Sequence, residues 1–345
     1  MRVAQCYTGG VGKRVINLLT DHPELTLAAV LVHDQAKDGV DAGLLAGAGP
    51  IGVRATTKID DIIEAAPDCA IWAGTGWLPE ELSRLLRAGI NVYTALGAWY
   101  LPGSPDFPAL NNACLEGGAT LVGGGTIPGF VSDVLPLFLS GYVGRVRQIR
   151  ARQANLLADY PSAAPLRAGL GFGGPVTQPP PGEVSPVDQR WLEFIGQSAR
   201  MVATALGFDF GSVRLTGKQF AAADRDLILA NGLEIPAGTA AGVRWEFTGY
   251  TTSAEPFYQL TKEQVAAVGL GPSWRASADA PLWRVEIDGA PSLVCEVSTV
   301  SDGGFGEATA EANAARAVNL IPQIVAAAPG CLSLLDIPAP TGFST

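Results

Sequence analysis

Thr8-Gly9-Gly10-Val11-Gly12 closes a short β-type run at 3–7 and opens a segment of helical period. Glycines at such a junction allow unusual backbone angles. They also bring backbone N–H groups against a pyrophosphate at a helix N-terminus, where the helix dipole favours an anion. Gly9 and Gly12 form a G-x-x-G, shorter than the full G-x-G-x-x-G, and tight βα turns also carry glycine for purely structural reasons. Asp34, 22 positions after Gly12, strengthens the dinucleotide reading. Its carboxylate can accept from the adenine ribose hydroxyls and repel a 2′-phosphate, whereas Lys37 can neutralise that phosphate. NAD is therefore favoured, with NADP open, and His33 is assigned to the flank of the adenine. No metal-ligand spacing occurs.

Two further small-residue clusters follow strand-like runs. Gly74-Thr75-Gly76 stands where a nicotinamide end must approach closely. Residues 123–130 read Gly-Gly-Gly-Thr-Ile-Pro-Gly-Phe, so that Gly125 and Ile127 either meet the ligand or serve tight strand–helix packing. Hydride chemistry also needs a proton source. Tyr100 and Tyr160 are the candidate donors, each equally readable as a packing aromatic. Trp99, Tyr100, Tyr160, Trp245 and Phe247 are candidate pocket walls, which implies a hydrophobic substrate without a carboxylate anchor.

These residues need a scaffold. Strand-like runs at 3–7, 25–33, 68–74, 90–95 and 119–123 alternate with helix-period segments at 11–20, 60–65, 79–88, 107–116 and 130–139. That rhythm implies right-handed βαβ crossovers and a parallel, doubly wound α/β sheet. After about residue 147 the rhythm changes. A Gly/Pro-rich stretch at 169–186 reads as a long functional loop, a helix follows at 187–206, and β-type runs at 212–220, 227–229, 242–250, 282–287 and 292–300 favour an antiparallel sheet. A last helix at 308–327, containing Pro322, is expected to pack back on the first domain. The expected domains are 1–145 for the dinucleotide, 146–303 for substrate and dimerisation, and 304–345 as the returning tail.

Composition narrows the function classes. The 345 residues are 48% apolar and only 16% charged, so much surface is expected to be covered by a second copy of the chain. With 33 acidic against 23 basic residues, net charge −10, a nucleic-acid role has no electrostatic footprint. Five cysteines at no metal spacing read as free thiols in a reducing, cytoplasmic compartment, and neither a leader nor a membrane segment is apparent. G-x-S-x-G, H-E-x-x-H and Walker A motifs are missing, which removes serine hydrolase, zinc peptidase and P-loop readings. A non-catalytic NAD(P) sensor stays as the rival from another class.

The blocks VAQCYTGGVG, LVHDQAKDGVDAG, GGGTIPGFVSDVLPL, EIPAGTAAGVRWEFTG, LWRVEIDGAP and AARAVNLIPQIVAAAPG resemble the dihydrodipicolinate reductase-like NAD(P)-dependent oxidoreductases, in the branch of 2,4-diaminopentanoate dehydrogenases and native amine dehydrogenases. The resemblance implies a Rossmann domain, an α+β substrate domain whose sheet helps form a homodimer, and an active site between them. It also implies hydride transfer between nicotinamide and the C=N or C=O carbon of an apolar ketone, imine or amine. Amine dehydrogenases of this branch carry a glutamate shortly after the fifth strand. Here Gly97 or Ala98 stands in its place, which keeps ketone reduction open as the alternative. The reductases proper use a paired-histidine segment that His22 and His33 cannot supply.

Overall fold

The computed structural model describes residues 1–74, 76–160, 162–177, 184–271, 274, 282–301 and 304–343. The chain forms two compact units, Met1–Gly129 with Ala310–Thr345, and Phe130–Thr309. The first division falls earlier than the boundary expected after 145, because the helix that follows the glycine-rich loop packs on the second sheet.

The first unit is built from β1 (Arg2–Cys6), α1 (Gly10–Thr20), β2 (Thr26–Leu31), α2 (Ala42–Ala46), β3 (Ala55–Thr56), α3 (Ile59–Glu64), β4 (Cys69–Trp72), α4 (Pro79–Arg87), β5 (Asn91–Thr94), α5 (Phe107–Gly117) and β6 (Thr120–Gly123). Its strands are short and apolar on both faces, as expected where helices cover a parallel sheet; every residue of β4, Cys-Ala-Ile-Trp, is buried. α4 shows why its sequence makes a helix: Pro79 starts it, Glu80 and Glu81 complement the N-terminal dipole, and Arg84 and Arg87 the C-terminal one.

The second unit contains α6 (Val134–Ser140), β7 (Val146–Leu156), α7 (Pro186–Leu206), β8 (Phe210–Ala222), β9 (Leu227–Ile228), β10 (Glu234–Ile235), β11 (Ala240–Thr251), β12 (Pro256–Val265), β13 (Leu282–Gly289) and β14 (Leu293–Val297). Six of these strands form a sheet in the order β14-β13-β7-β12-β11-β8. It is mixed rather than purely antiparallel, since β7 and β12 run parallel. One row across it, Lys218, Trp245, Lys262, Gln153 and Trp283, is fixed by register. α7 lies against β8, β11 and β12 and begins with a reciprocal Ser185–Asp188 capping box. Of the long loop at 169–186, residues 178–183 lie outside the described residues; Pro165–Gly169 before it is one π-type turn.

The expected last helix is two: α8 (Gly304–Asn319) and α9 (Ile321–Ala326). Pro322 sits in the first turn of α9, where its missing N–H has no intrahelical role. β15 (Gly330–Leu332) then adds to β6, which gives the first sheet the order β15-β6-β5-β4-β1-β2-β3, all parallel. The order reverses direction at β1, between β2 and β4, and ligands of open α/β sheets bind at the carboxyl ends of strands beside such a point.

Candidate functional site: a dinucleotide turn

At the carboxyl end of β1 the chain turns through Tyr7, whose φ of +73° is rare for a side chain of this size. Two residues on, Gly9 caps α1 with an extended backbone, and nothing lies within 4 Å of where its Cβ would be. At Gly12 a Cβ would stand 2.0 Å from the Tyr7 carbonyl oxygen. Positions 7, 9 and 12 thus have the spacing of a full G-x-G-x-x-G, with a tight turn at the first, an uncrowded glycine at the second and close helix–strand packing at the third. Spacing alone reveals only the last two, because tyrosine occupies the first. Tyr7 fits because Gly74 has no side chain; a Cβ there would be 2.8 Å from the tyrosine ring. The ring also packs edge-on against Trp72 at 5.0 Å and lies 6.0 Å from His33. Burial pushes the Tyr7 hydroxyl up to about 12.

Gln5, fully buried in β1, holds this turn by donating its Nε2 to the carbonyls of Cys6 and Tyr7, both at 2.8 Å. A glutamine inside the apolar run Val-Ala-Gln-Cys-Tyr was the available signal for it. α1 has no side-chain cap and no acidic residue in its first turn, a helix start of the kind that suits an anion. Val11 follows within that turn. Lys37 Nζ donates to Thr8 Oγ1 at 3.4 Å, which brings the basic residue back to the glycine turn. Asp34 is exposed, and its carboxylate accepts from Ala36 N at 3.0 Å to start a short 3₁₀ turn. Thr8, Gly9, Gly10, His33, Asp34 and Lys37 therefore gather at the carboxyl ends of β1 and β2, and these residues fit a dinucleotide.

Of the other small-residue clusters, the one at 123–129 is crowded by its own chain. Thr75 lies outside the described residues, and Gly76 meets only Leu78. A Cβ at Gly123 would be 2.2 Å from the Ala98 carbonyl, at Gly124 2.6 Å from the Tyr93 ring, and at Gly129 2.5 Å from Gly125 N. Gly125 itself has φ +150° and would place a Cβ 2.9 Å from Pro128 O, while Ile127 is half-buried. The chain's own atoms thus pack closely at each of these four glycines. Trp99 is buried and donates its indole N–H to Gly124 O at 2.9 Å; Tyr100 beside it is half-buried. Gly97 has φ +95° and lies under the Trp77 ring, which a Cβ there would approach to 2.3 Å, and Trp77 is anchored by donating to Asp106 at 2.7 Å. Ala98 is buried among apolar neighbours.

In the second unit Tyr160 is half-buried, and burial raises its hydroxyl above the ordinary tyrosine value, so it remains protonated at neutral pH. Trp245 and Phe247, expected as pocket walls, are 1% and 0% exposed. Trp245 donates its indole N–H to Asp188 at 2.8 Å, so it serves the helix–sheet core rather than an open wall. Arg244 and Glu246, on the other face, pair with one another at 2.7 Å.

A doubly wound sheet with this turn, joined to a mixed-sheet unit, defines a Rossmann-type dinucleotide enzyme. Residues 3–81 match the dihydrodipicolinate reductase N-terminus and residues 130–345 the 2,4-diaminopentanoate dehydrogenase C-terminal domain. The chain is similar to an amine dehydrogenase of Streptomyces virginiae, 32% identical over 96% of this chain and 94% of the relative. It also resembles the 2,4-diaminopentanoate dehydrogenase of Acetoanaerobium sticklandii, 26% identical over 76% of this chain and 70% of that one. Its fold matches the solved amine dehydrogenase of Mycobacterium smegmatis with TM-score 0.77 and 20% identity, covering 99% of this chain and 97% of that chain. The chain belongs to the dihydrodipicolinate reductase-like family, in the branch of 2,4-diaminopentanoate and amine dehydrogenases, and is an NAD(P)-dependent oxidoreductase. Among the described residues no helix is long and apolar enough to cross a membrane.

Proposed function

We propose that this chain is an amine dehydrogenase, interconverting a ketone plus ammonia with a primary amine and water. The observation that carries the reading is the end-to-end likeness to an amine dehydrogenase at 32% identity. Bound NAD(P) supplies the hydride in one direction and accepts it in the other. The turn at Gly9 and the start of α1 hold its pyrophosphate, and Asp34 favours NAD over NADP at the ribose. Tyr100 and Tyr160 are the proposed proton donors to the oxygen or nitrogen that gains electrons, with Trp99 and the two tyrosines bordering the substrate. A homodimer is the proposed assembly, as the family resemblance implies.

Ketone reduction is the second reading: by the sequence resemblance the branch's glutamate falls at Gly97 or Ala98, and in this chain Gly97 lies under the Trp77 ring and Ala98 is buried. The experiment is NAD(P)⁺ reduction by primary amines against the matched secondary alcohols. Faster turnover of the amines supports the proposal, and turnover of alcohols alone replaces it with the second reading.

A further inference from the structure

β15 is the edge strand of the first sheet and is contributed by the chain's tail. Its unit is assembled from Met1–Gly129 and Ala310–Thr345, so the whole of Phe130–Thr309 lies, in sequence, between β15 and the strand it joins. The attachment is short: Gly330, Cys331 and Leu332 pair with Thr120, Leu121 and Val122 of β6. Further hydrogen bonds run from Cys331 N to Asn111 Oδ1 of α5 at 3.1 Å, from Gly330 N to Ala119 O at 3.1 Å, and from Thr120 Oγ1 to Ala328 O at 3.0 Å. Asn111 and Cys114 are three residues apart in α5 and so share one face of that helix. On that face Cys114 Sγ stands 3.9 Å from Cys331 Sγ.

The remaining cysteines differ from this pair. Cys6 and Cys69 are 0% exposed in β1 and β4, and burial raises both thiols, Cys69 to about 12, so they stay protonated and inert. Cys295 is half-buried in β14 of the other unit. Cys114 is also 0% exposed, whereas Cys331 is half-buried and is the accessible member of the pair. The Cys331 S–H donates to Cys114 and lowers that thiol below the ordinary cysteine value, outweighing burial; the same contact raises Cys331. Among the described residues no group of three or more His, Cys, Asp or Glu could hold a metal, which leaves these two sulfurs thiol–disulfide chemistry.

We propose that Cys114 and Cys331 are a reversible modification site, at which a low-molecular-weight disulfide oxidises the two thiols to a disulfide that staples β15 to α5. Cys331 reacts first: the S–S bond of the reagent breaks, a mixed disulfide forms at Cys331, and one small thiol leaves with the Cys331 proton. Cys114 then attacks Cys331 Sγ, the protein disulfide forms, and the second small thiol leaves with the Cys114 proton. Two protein thiols are thus oxidised and one reagent disulfide is reduced to two thiols. A disulfide is about 2.05 Å long, so each sulfur moves by about 1 Å, a step for side-chain torsions while Asn111 and the β6 pairing hold the backbone. The two cysteines are 217 positions apart, so the closed loop encloses the entire sequence of the second unit. A cross-link across so long a loop restricts the unfolded chain strongly and joins the two separate stretches of the first unit covalently. Under reducing conditions the pair rests as thiols and closes only as disulfide reagents accumulate.

The full chain is incubated with oxidised glutathione or with dithiothreitol, the remaining thiols are alkylated under denaturing conditions, and the peptides are mapped by mass spectrometry. The expected result is that oxidised glutathione removes two of the five thiols, joins the Cys114 peptide to the Cys331 peptide without retained glutathione, and is reversed by dithiothreitol. The oxidised protein should melt about 5 °C or more above the reduced one. Cys331→Ser should abolish the link and the difference in Tm, and Cys295→Ser should keep both. Five unreacted thiols, glutathione held on Cys331 with Cys114 still free, or a link made through Cys295 or to a second chain overturns the site. A linked protein that melts no higher than the reduced one overturns the staple. Should Cys331→Ser not fold, the peptide map of the unmodified protein decides.

Discussion

Replacing Gly9 and Gly12 by alanine, one at a time, separates binding from folding within a single turn. At Gly12 the new methyl would stand 2.0 Å from a backbone oxygen of Tyr7 and 2.9 Å from Gln5 Nε2, which already clamps the turn. Backbone cannot yield as a flexible side chain does, so the substitution belongs at the severe end of overpacking, about 3 kcal/mol. For a unit of this size that lowers Tm by about 6–12 °C. At Gly9 the φ is −74° and no atom lies within 4 Å, so alanine leaves Tm unchanged or slightly raised through the unfolded chain. The same methyl occupies the space through which a pyrophosphate approaches the α1 N–H groups. A loss of about 1.4–2.8 kcal/mol there is a ten- to hundredfold rise in Kd for NADH and NADPH alike. Calorimetric melting and NAD(P)H fluorescence titration read the two effects. Unchanged cofactor affinity in Gly9→Ala, or an unchanged Tm in Gly12→Ala, refutes the assignment of tasks within the turn.

Asp34→Ser retains an acceptor for the Ala36 N–H but removes the charge, and is expected to raise relative kcat/KM for NADPH by about tenfold, equivalent to about 1.4 kcal/mol; a fixed NADPH/NADH ratio in initial-rate assays counts against it. Asp188→Asn breaks a buried pair and should destabilise by about 3–5 kcal/mol in urea unfolding. Burial pulls the Asp188 carboxyl up, but Lys218, Ser185 and Trp245 hold it below its ordinary value. Its stabilisation is thus complete above about pH 4–5 and lost as pH falls through the lowered value, so the variant's deficit should shrink in acid. Gly97→Glu must place a side chain into the Trp77 ring at positive φ and is expected to lower Tm by several degrees without increasing amine yield; a stable variant with raised amination would show that the loop can take the acid.

The doubly wound sheet was legible because both faces of its strands are apolar, as in Cys69–Trp72. β7 and β12 were not, although each has ten or more residues, because Gln153, Asn155, Lys262 and Gln264 put polar groups on the inward face and erase the alternation that marks a strand. Their parallel pairing is also why the second sheet is mixed. Within the site, Gly9 and Gly12 were readable from spacing, whereas Tyr7 was hidden because its role is a backbone angle that the residue type disguises. Conversely, the glycines at 123–125 and 129 read from the sequence as either a ligand contact or tight strand–helix packing. Only the three-dimensional packing shows that Ala98, Tyr93, Pro128 and Gly125 already fill the space a side chain would need. Trp245 misled for a related reason: its position in a strand was right, but its indole is spent on buried Asp188.

The central claim, amine dehydrogenase chemistry, is tested most directly by incubating the protein with 4-oxopentanoate and pentan-2-one, NAD(P)H and ¹⁵N-ammonium, and identifying the products by chromatography and mass spectrometry. The account predicts ¹⁵N-labelled primary amine from at least one of the ketones, formed in step with cofactor oxidation and dependent on ammonium. Cofactor oxidation that yields only the alcohol, at a rate indifferent to ammonium, would contradict it.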